Sequence, residues 1–495
     1  MRFAVPPDDV LARLAALRER DAPTHGGRVL SYVYDSGEPE LDELAAAAVR
    51  AMQPVNGLDP TTFGSVAALE RDLVAFTRDL LGGDDGGEPV VGTVTSGGTE
   101  SCLLAVKAAR DAWLAAHGAE PGAARPRLVA PVTAHAAFQK AAHYFGLALD
   151  LVPVRPGGAV AADAVAERLA DRPDDVALVV VSAPSYPHAA LDPVAEVATV
   201  AAARGVPVHV DACIGGMALP FWPGLPPWDL RVPGVTSLSV DLHKYGYAPK
   251  GVSMLLHRGR DRQRGQYFAT TRWPGYPVVS PTLLGSRSGG PLAAAWAIAQ
   301  ALGRDGFAEL AEQARQATDA LRAAVGQIDG LRVVGEPTGP LFAVATDESV
   351  PTARRVDPHV WADTVANHGW VLQPQPALRQ ADGTVLPHTT HLTVTPVTAR
   401  VLDELVPALA AAADAVRGTP RPEASPLVDG GPATVPDSDT AAALLRGLGL
   451  DTSRIGETGA GLGPMAPLLA AVEALPAPVA ERLLTELLGR LAEPR

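Results

Sequence analysis

From Val90 to about residue 258 the chain alternates short β-branched runs with helix-like stretches. "VVGTVT" precedes "ESCLLAVKAARDAWLAAHG", "RLVAPV" precedes "AAFQKAAHYFG", and "LDLVPV" precedes "ADAVAERLAD". "VALVVVSA", "PVAEVATVAAARG", "VPVHVDA", "TSLSVD" and "GVSMLLH" continue the pattern. Apolar runs of this length, separated by amphipathic segments, predict βα units and a mostly parallel sheet buried on both faces. Ligands of such sheets bind at the carboxyl ends of the strands. Those ends are therefore where chemistry is sought.

The chain's 495 residues, 47% of them hydrophobic, can bury a sizeable core. Residues 1–85 read as a helical arm, 86–300 as the large α/β domain, and 301–418 as a smaller α+β domain. Residues 419–438, rich in Pro, Gly and Ser, read as a linker before a helical tail at 439–495. The charge balance is 41 basic against 55 acidic residues, a net −14. That argues against nucleic acid or an anionic membrane as principal partner. Two cysteines without a CxxC pair, and no apolar run of membrane-spanning length, predict a cytoplasmic protein with no transmembrane segment.

Four motifs fall at strand ends. In "VTSGGTES" a strand runs into Gly97, Gly98 and Thr99 before a helix, where backbone N–H groups and the helix dipole favour an anion. Thr99 also suits a helix N-cap, so an ordinary capped helix remains open. Asp211 closes the apolar strand "VPVHVDA", where a carboxylate calls for a cationic partner such as a pyridinium, or for loop backbone. His135 follows another strand and could stack on an aromatic ligand or serve the fold. "SVDLHKYGYAPKG" delivers Asp241, His243 and Lys244, and a lysine among apolar and cationic neighbours is expected to have a lowered pKa. Together these give a phosphate cup, a stacking ring, an acid for a ring nitrogen and an amine, which is what pyridoxal phosphate requires.

That order matches the superfamily of pyridoxal phosphate enzymes related to aspartate aminotransferase. More closely, "TSGGTES", "AHAAFQKAAHYFG", "HVDACIGG", "VDLHKYGYAPKG" and "SPTLLGSRSGG" resemble the sphingosine-1-phosphate lyase branch of the pyridoxal-dependent decarboxylases. The resemblance runs from about Gly27 to "THLTVTP". It implies fold type I, with a large mostly parallel sheet domain and a smaller α+β domain. It implies Lys244 as the Schiff-base lysine, Asp211 at the pyridine nitrogen and His135 on the ring. Gly98, Thr99 and His243 would hold the cofactor phosphate. Ser286 would reach that phosphate from a neighbouring subunit, so a homodimer with shared active sites is implied. Tyr34 matches a substrate-pocket tyrosine, and Lys250 the lysine that binds the substrate's phosphate.

The implied reaction is cleavage of a phosphorylated amino alcohol to an aldehyde and phosphoethanolamine. An amino-acid decarboxylase on the same scaffold is the alternative, and a non-catalytic ligand-binding relative a third reading. Two positions depart from the lyase pattern. Asp59 stands where the family has histidine, and a carboxylate near a phosphate monoester is repulsive by on the order of 1 kcal/mol or more. Val278 replaces a pocket tyrosine, with Tyr276 two residues earlier. Lys250 argues the other way, since a buried lysine needs an anionic partner, although a structural salt bridge would also satisfy it. "GETGAGLGPM" (456–465) follows no strand and is not read as a nucleotide loop, and "HTTH" (His388, His391) lacks acidic or cysteine companions for a metal.

Overall fold

The computed structural model describes residues 3–494 apart from 85, 121, 424–433, 449 and 451–463. The "GETGAGLGPM" segment lies almost wholly outside the described residues, as does the middle of the expected linker.

A seven-stranded sheet organises the large part of the molecule. Its strands are β1 (Val90–Thr95), β2 (Arg127–Pro131), β3 (Ala148–Val152), β4 (Val176–Ser182), β5 (Val208–Asp211), β6 (Val235–Val240) and β7 (Ser253–Arg258). The spatial order is β1-β7-β6-β5-β4-β2-β3, with β7 antiparallel to both its neighbours and the other pairs parallel. Every residue of "VALVVVS" in β4 is buried, as expected of a central strand covered on both faces. The helices Gly98–Ala116 and Ala137–Phe145 cover one face together with Cys102, Leu128, Val180 and Cys213. Gly146, at φ 72°, ends the second of these helices in the left-handed conformation that glycine adopts without steric cost.

Two N-terminal helices, Pro39–Met52 and Gly64–Leu80, pack on the long helix Gly289–Gly326. That helix opens on Ser288, whose hydroxyl accepts from the Gly290 N–H, and is broken at Gly303 (φ 54°, ψ −166°). The boundary expected at residue 300 falls inside it, just ahead of the break. The smaller part carries an antiparallel sheet of Leu331–Val333, Leu341–Thr346, Thr389–Thr393 and Gln373–Gln375 in spatial order. Asp357 caps its helix Pro358–Ala366 by accepting from the His359 and Val360 N–H groups.

The segment Arg28–Ser31 is tied to this smaller sheet: the Leu30 N–H donates to Val371 O at 2.8 Å and the Thr393 N–H to Leu30 O at 2.7 Å. This carries Tyr34 toward the carboxyl end of the large sheet. Three C-terminal helices, Ser438–Gly447, Met465–Ala474 and Ala477–Leu491, complete the described chain. None of the described helices is long and apolar enough to cross a membrane.

Candidate active site

The loop after β1 is closed by a residue that the motif alone does not flag. Buried Glu100 accepts from the Ser96 N–H at 2.6 Å and from the Leu283 N–H at 2.7 Å. A chain of hydroxyls then fastens the loop to the sheet: Thr95 Oγ1 to Ser101 Oγ (2.7 Å), and Ser101 Oγ to Ser253 Oγ (2.9 Å). Thr99 is not the N-cap: the helix begins at Gly98 on Gly97, with no side-chain cap. The orphan N–H groups of this first turn are left for an anion. A side chain at Gly98 would place its Cβ 2.6 Å from Asp241 Oδ2 and 2.8 Å from Cys213 Sγ, so only glycine fits.

The opposite wall comes from the stretch after β6. His243 Nδ1 accepts from the Val252 N–H (3.3 Å) and the Gly251 N–H (3.4 Å), which turns Nε2 toward Asp241 Oδ2 at 3.6 Å. Gly97 and His243 face one another, with a Cβ on Gly97 falling 3.4 Å from His243 Cε1. Lys244 Nζ lies 2.9 Å from Asp241 Oδ2. Burial pushes the lysine pKa down, but the Asp241 carboxylate and the neighbouring Tyr34 outweigh it and hold the amine well above its ordinary value. The lowered pKa expected from sequence is thus corrected: the partner that governs Lys244 is the aspartate three residues before it. Asp241 itself sits well below the carboxylate range; burial opposes this, and Lys244 and His243 override it.

Asp211, at the end of β5, accepts from the Cys213 N–H at 3.0 Å and from Ser239 Oγ at 3.4 Å. His135 is exposed, and its Nδ1 accepts from the Ala137 N–H at 3.2 Å, which fixes the ring at the head of its helix. Tyr34 meets Tyr245 edge-on at 5.2 Å, and Tyr245 is anchored through its hydroxyl to Pro340 O and Val394 O. Burial pushes the Tyr34 phenol up to about 12, with the Lys244 charge pulling against it, so it remains a proton donor at neutral pH.

Lys250 differs from expectation. It is exposed rather than buried, its Nζ donates to His243 O at 2.9 Å, and it stands 4.5 Å over the Tyr34 ring. No carboxylate lies within 4.0 Å of it among the described residues, so the structural salt bridge is absent there. Desolvation, then the charge of Lys244, lower its pKa to about 8.

Ser286 is exposed and accepts from Asn56 Nδ2 at 3.2 Å. Asp59, Tyr276 and Val278 line one cavity of about 1150 Å3 with Gly285 and Arg287, and that cavity is not lined by Lys244 or Tyr34. Asp59 is satisfied locally by the N–H groups and hydroxyls of Thr61 and Thr62, which lower its pKa to about 2. His388 pairs with Asp357 at 2.8 Å, while His391 stacks on Tyr186 at 4.1 Å, so the two histidines of "HTTH" serve different neighbours.

Pyridoxal phosphate fits these residues. Anion-seeking N–H groups and a primary amine meet at Asp241, a strand-end carboxylate stands on the neighbouring strand, and His135 opens the helix after β2; the buried Asp241 Oδ1 and Tyr186 hydroxyl make no hydrogen bond of standard geometry. Residues 43–343 match the pyridoxal-dependent decarboxylase conserved domain. The chain belongs to the pyridoxal-dependent decarboxylase family. Its cofactor is pyridoxal phosphate, and within the family it falls on the sphingosine-1-phosphate lyase-like branch. It is 39% identical over 345 residues to sphingosine-1-phosphate lyase 1 of Rattus norvegicus, covering 69% of this chain and 59% of that protein's length. It is 34% identical over 431 residues to sphingosine-1-phosphate lyase of Oryza sativa, covering 84% of this chain and 74% of that one. Among solved structures it is similar to a Burkholderia pseudomallei sphingosine-1-phosphate lyase, with TM-score 0.76 and 34% identity over 84% of this chain and 92% of that one. Glutamate decarboxylase of Lactobacillus brevis, 20% identical with TM-score 0.73 over 85% of this chain and 95% of that one, shares the fold. Residues 393–490 also match a C-terminal putative HTH domain of pyridoxal-dependent enzymes.

Proposed function

We propose that this chain is a lyase that cleaves the bond between the amine-bearing carbon and the carbinol carbon of a phosphorylated amino alcohol. The products would be an aldehyde and phosphoethanolamine. The observation that carries this reading is Lys250, a second cation beside Lys244 with no carboxylate within 4.0 Å among the described residues and an aromatic face beneath it. With Gly98, Thr99 and His243 expected to hold the cofactor phosphate, a further cation is of use if the substrate is itself anionic. The family's relatives named as sphingosine-1-phosphate lyases support the same substrate class.

When bound through Lys244, the cofactor supplies an electron sink for the bond being broken. Asp211 would offer its strand-end carboxylate to the cofactor's ring nitrogen. His135 would hold the ring by stacking. Lys250 would bind the substrate phosphate and so orient the substrate. Tyr34, protonated and next to both lysines, orients the substrate hydroxyl.

Ser286 and the cavity of Asp59, Tyr276 and Val278 belong, in this reading, to the site of a second copy, in a homodimer with shared active sites. The separation of that cavity from Lys244 supports the arrangement. Two free, buried cysteines support a reducing, cytoplasmic setting.

The amino-acid decarboxylase reading is favoured by one observation, the loss of the pocket tyrosine at Val278. Incubation of the purified protein with sphinganine phosphate and with an amino-acid panel separates the two. Aldehyde plus phosphoethanolamine is the expected outcome; amine plus carbon dioxide from an amino acid, with the phosphorylated amine untouched, would overturn the proposal.

A further inference from the structure

A buried polar chain runs through the sheet behind Asp211. β5 and β6 pair in parallel with His209 opposite Ser237 and Asp211 opposite Ser239. Because strand side chains alternate, all four project from the same face. His209 is fully buried; its Nε2 lies 3.2 Å from Ser239 Oγ and its Nδ1 2.9 Å from Ser237 Oγ. Ser239 Oγ reaches Asp211 Oδ1 at 3.4 Å and itself accepts from Cys213 Sγ at 3.3 Å.

One consistent set of directions runs from Ser237 to Asp211. An ionised carboxylate only accepts, so Ser239 donates to Asp211. The Ser239 oxygen then accepts from His209 Nε2–H. Burial lowers the His209 pKa to about 4, so the ring is neutral, carries one N–H, and accepts at Nδ1 from Ser237. Asp211 opposes that shift without reversing it. The other titratable groups around the ring, Cys213 and His257, carry no charge at neutral pH: its bond with Cys102, and then burial, push the thiol up, and burial brings His257 down to about 3. Ser237 ends the chain in the wall of a separate groove of about 630 Å3, whose rim carries the exposed His117, Arg204 and Asp261.

We infer that Ser237, His209 and Ser239 form a positioning relay whose aligned donors hold Asp211 as an ionised acceptor and thereby keep the proton on the cofactor's ring nitrogen. Each donor polarises the next and so strengthens the bond that Ser239 makes to the carboxylate. Without the relay, Asp211 competes for the ring-nitrogen proton and the electron sink weakens. His209 touches neither cofactor nor substrate and acts only through Ser239. The inference rests on the cofactor and is independent of which bond is cleaved.

The test uses the purified, cofactor-loaded full chain. His209→Phe keeps the ring shape beside Phe138 but removes both nitrogens; Ser237→Ala breaks the far link only. Both are read by the pH midpoint of the bound cofactor's visible absorbance, the cofactor dissociation constant and the melting temperature. The midpoint is expected to move upward by about one unit, and the dissociation constant to rise about tenfold for His209→Phe, the size of one charge-assisted hydrogen bond. Ser237→Ala shifts the midpoint in the same direction, and His209→Gln, which restores a donor and an acceptor, brings it back toward wild type. An unchanged midpoint in folded His209→Phe and Ser237→Ala, whatever happens to the melting temperature, overturns the relay. If His209→Phe does not fold, Ser237→Ala alone decides: a shift supports the relay, its absence refutes it.

Discussion

Asp241 Oδ2 and Lys244 Nζ stand 2.9 Å apart behind the glycine loop, so the amine that must join the cofactor is held as an ammonium until the cofactor arrives. Only the neutral amine can form that linkage. The rate at which the cofactor is captured is therefore expected to rise with pH, about tenfold per unit while Lys244 remains protonated. Asp241→Asn removes the clamp and flattens this slope. Mixing apoprotein with pyridoxal phosphate between pH 6 and 9 and timing the growth of the visible band checks both statements. The same pair has a stability signature: the depressed Asp241 pKa contributes stability that is present above the ordinary carboxylate value of about 4 and lost as pH falls. The raised Lys244 contributes below the ordinary lysine value of about 10 and is lost above its own folded pKa.

Gly98→Ala tests the cup. The new Cβ would overlap Asp241 and Cys213 at distances no relaxed structure keeps. We expect cofactor affinity to fall by about a hundredfold or more, against a loss of about 1–3 kcal/mol in folding stability. Equilibrium dialysis of the cofactor and thermal melts separate the two effects. Unimpaired cofactor binding in the folded variant would contradict the placement of Gly98 against Asp241.

Lys250→Met retains the stem over Tyr34 and removes the charge. KM for a phosphorylated substrate is expected to rise about tenfold or more, with cofactor binding unchanged. Because Lys250 has a pKa of about 8, wild-type affinity for the anion is present below that pH and declines above it. Steady-state kinetics from pH 7 to 9 should show this alkaline limb in the wild type and not in the variant.

Asp192 tests the core behind the site. It is buried, and its two oxygens accept from the Val160 N–H (2.9 Å) and the Ser182 N–H (2.8 Å). Asp192→Ala strands both donors and should cost about 2–5 kcal/mol, measurable as a shift of the denaturant midpoint.

Much of this was legible from residue order. The βα alternation gave the parallel strands, and "SGGTES", "HVDAC" and "DLHKYG" brought Gly98, Asp211 and Lys244 to one sheet end. The antiparallel insertion of β7 between β1 and β6 was not legible, because "GVSMLLH" reads as buried strand in either direction. Nor was the ionic state of Lys244: it depends on a contact with Asp241 that the three-residue spacing allows but does not require. His209 was hidden for a different reason. A polar residue two positions before Asp211 shares its face by strand periodicity, but only the pairing of β5 with β6 supplies Ser237 and Ser239 to complete the set. Asp59 was read as a charge set against the substrate phosphate, and the hydrogen bonds from the threonines just after it, in "DPTTF", which keep it ionised, were not legible in advance.

The position of β7 also governs when the site can exist during synthesis. β1 carries the glycine loop, yet the strand beside it in the sheet is β7, with Val90 lying opposite Arg258 and Thr95 opposite Ser253. A nascent chain that has emitted β1 through β6 has all of the parallel strands but nothing to seat β1 against them. The last strand made thus admits the first, and such distant pairing delays closure of the sheet until its full length has left the ribosome. The cup at Gly98 and the amine of Lys244 come together in that same final step, and a truncated chain ending before Ser253 lacks the strand that joins them.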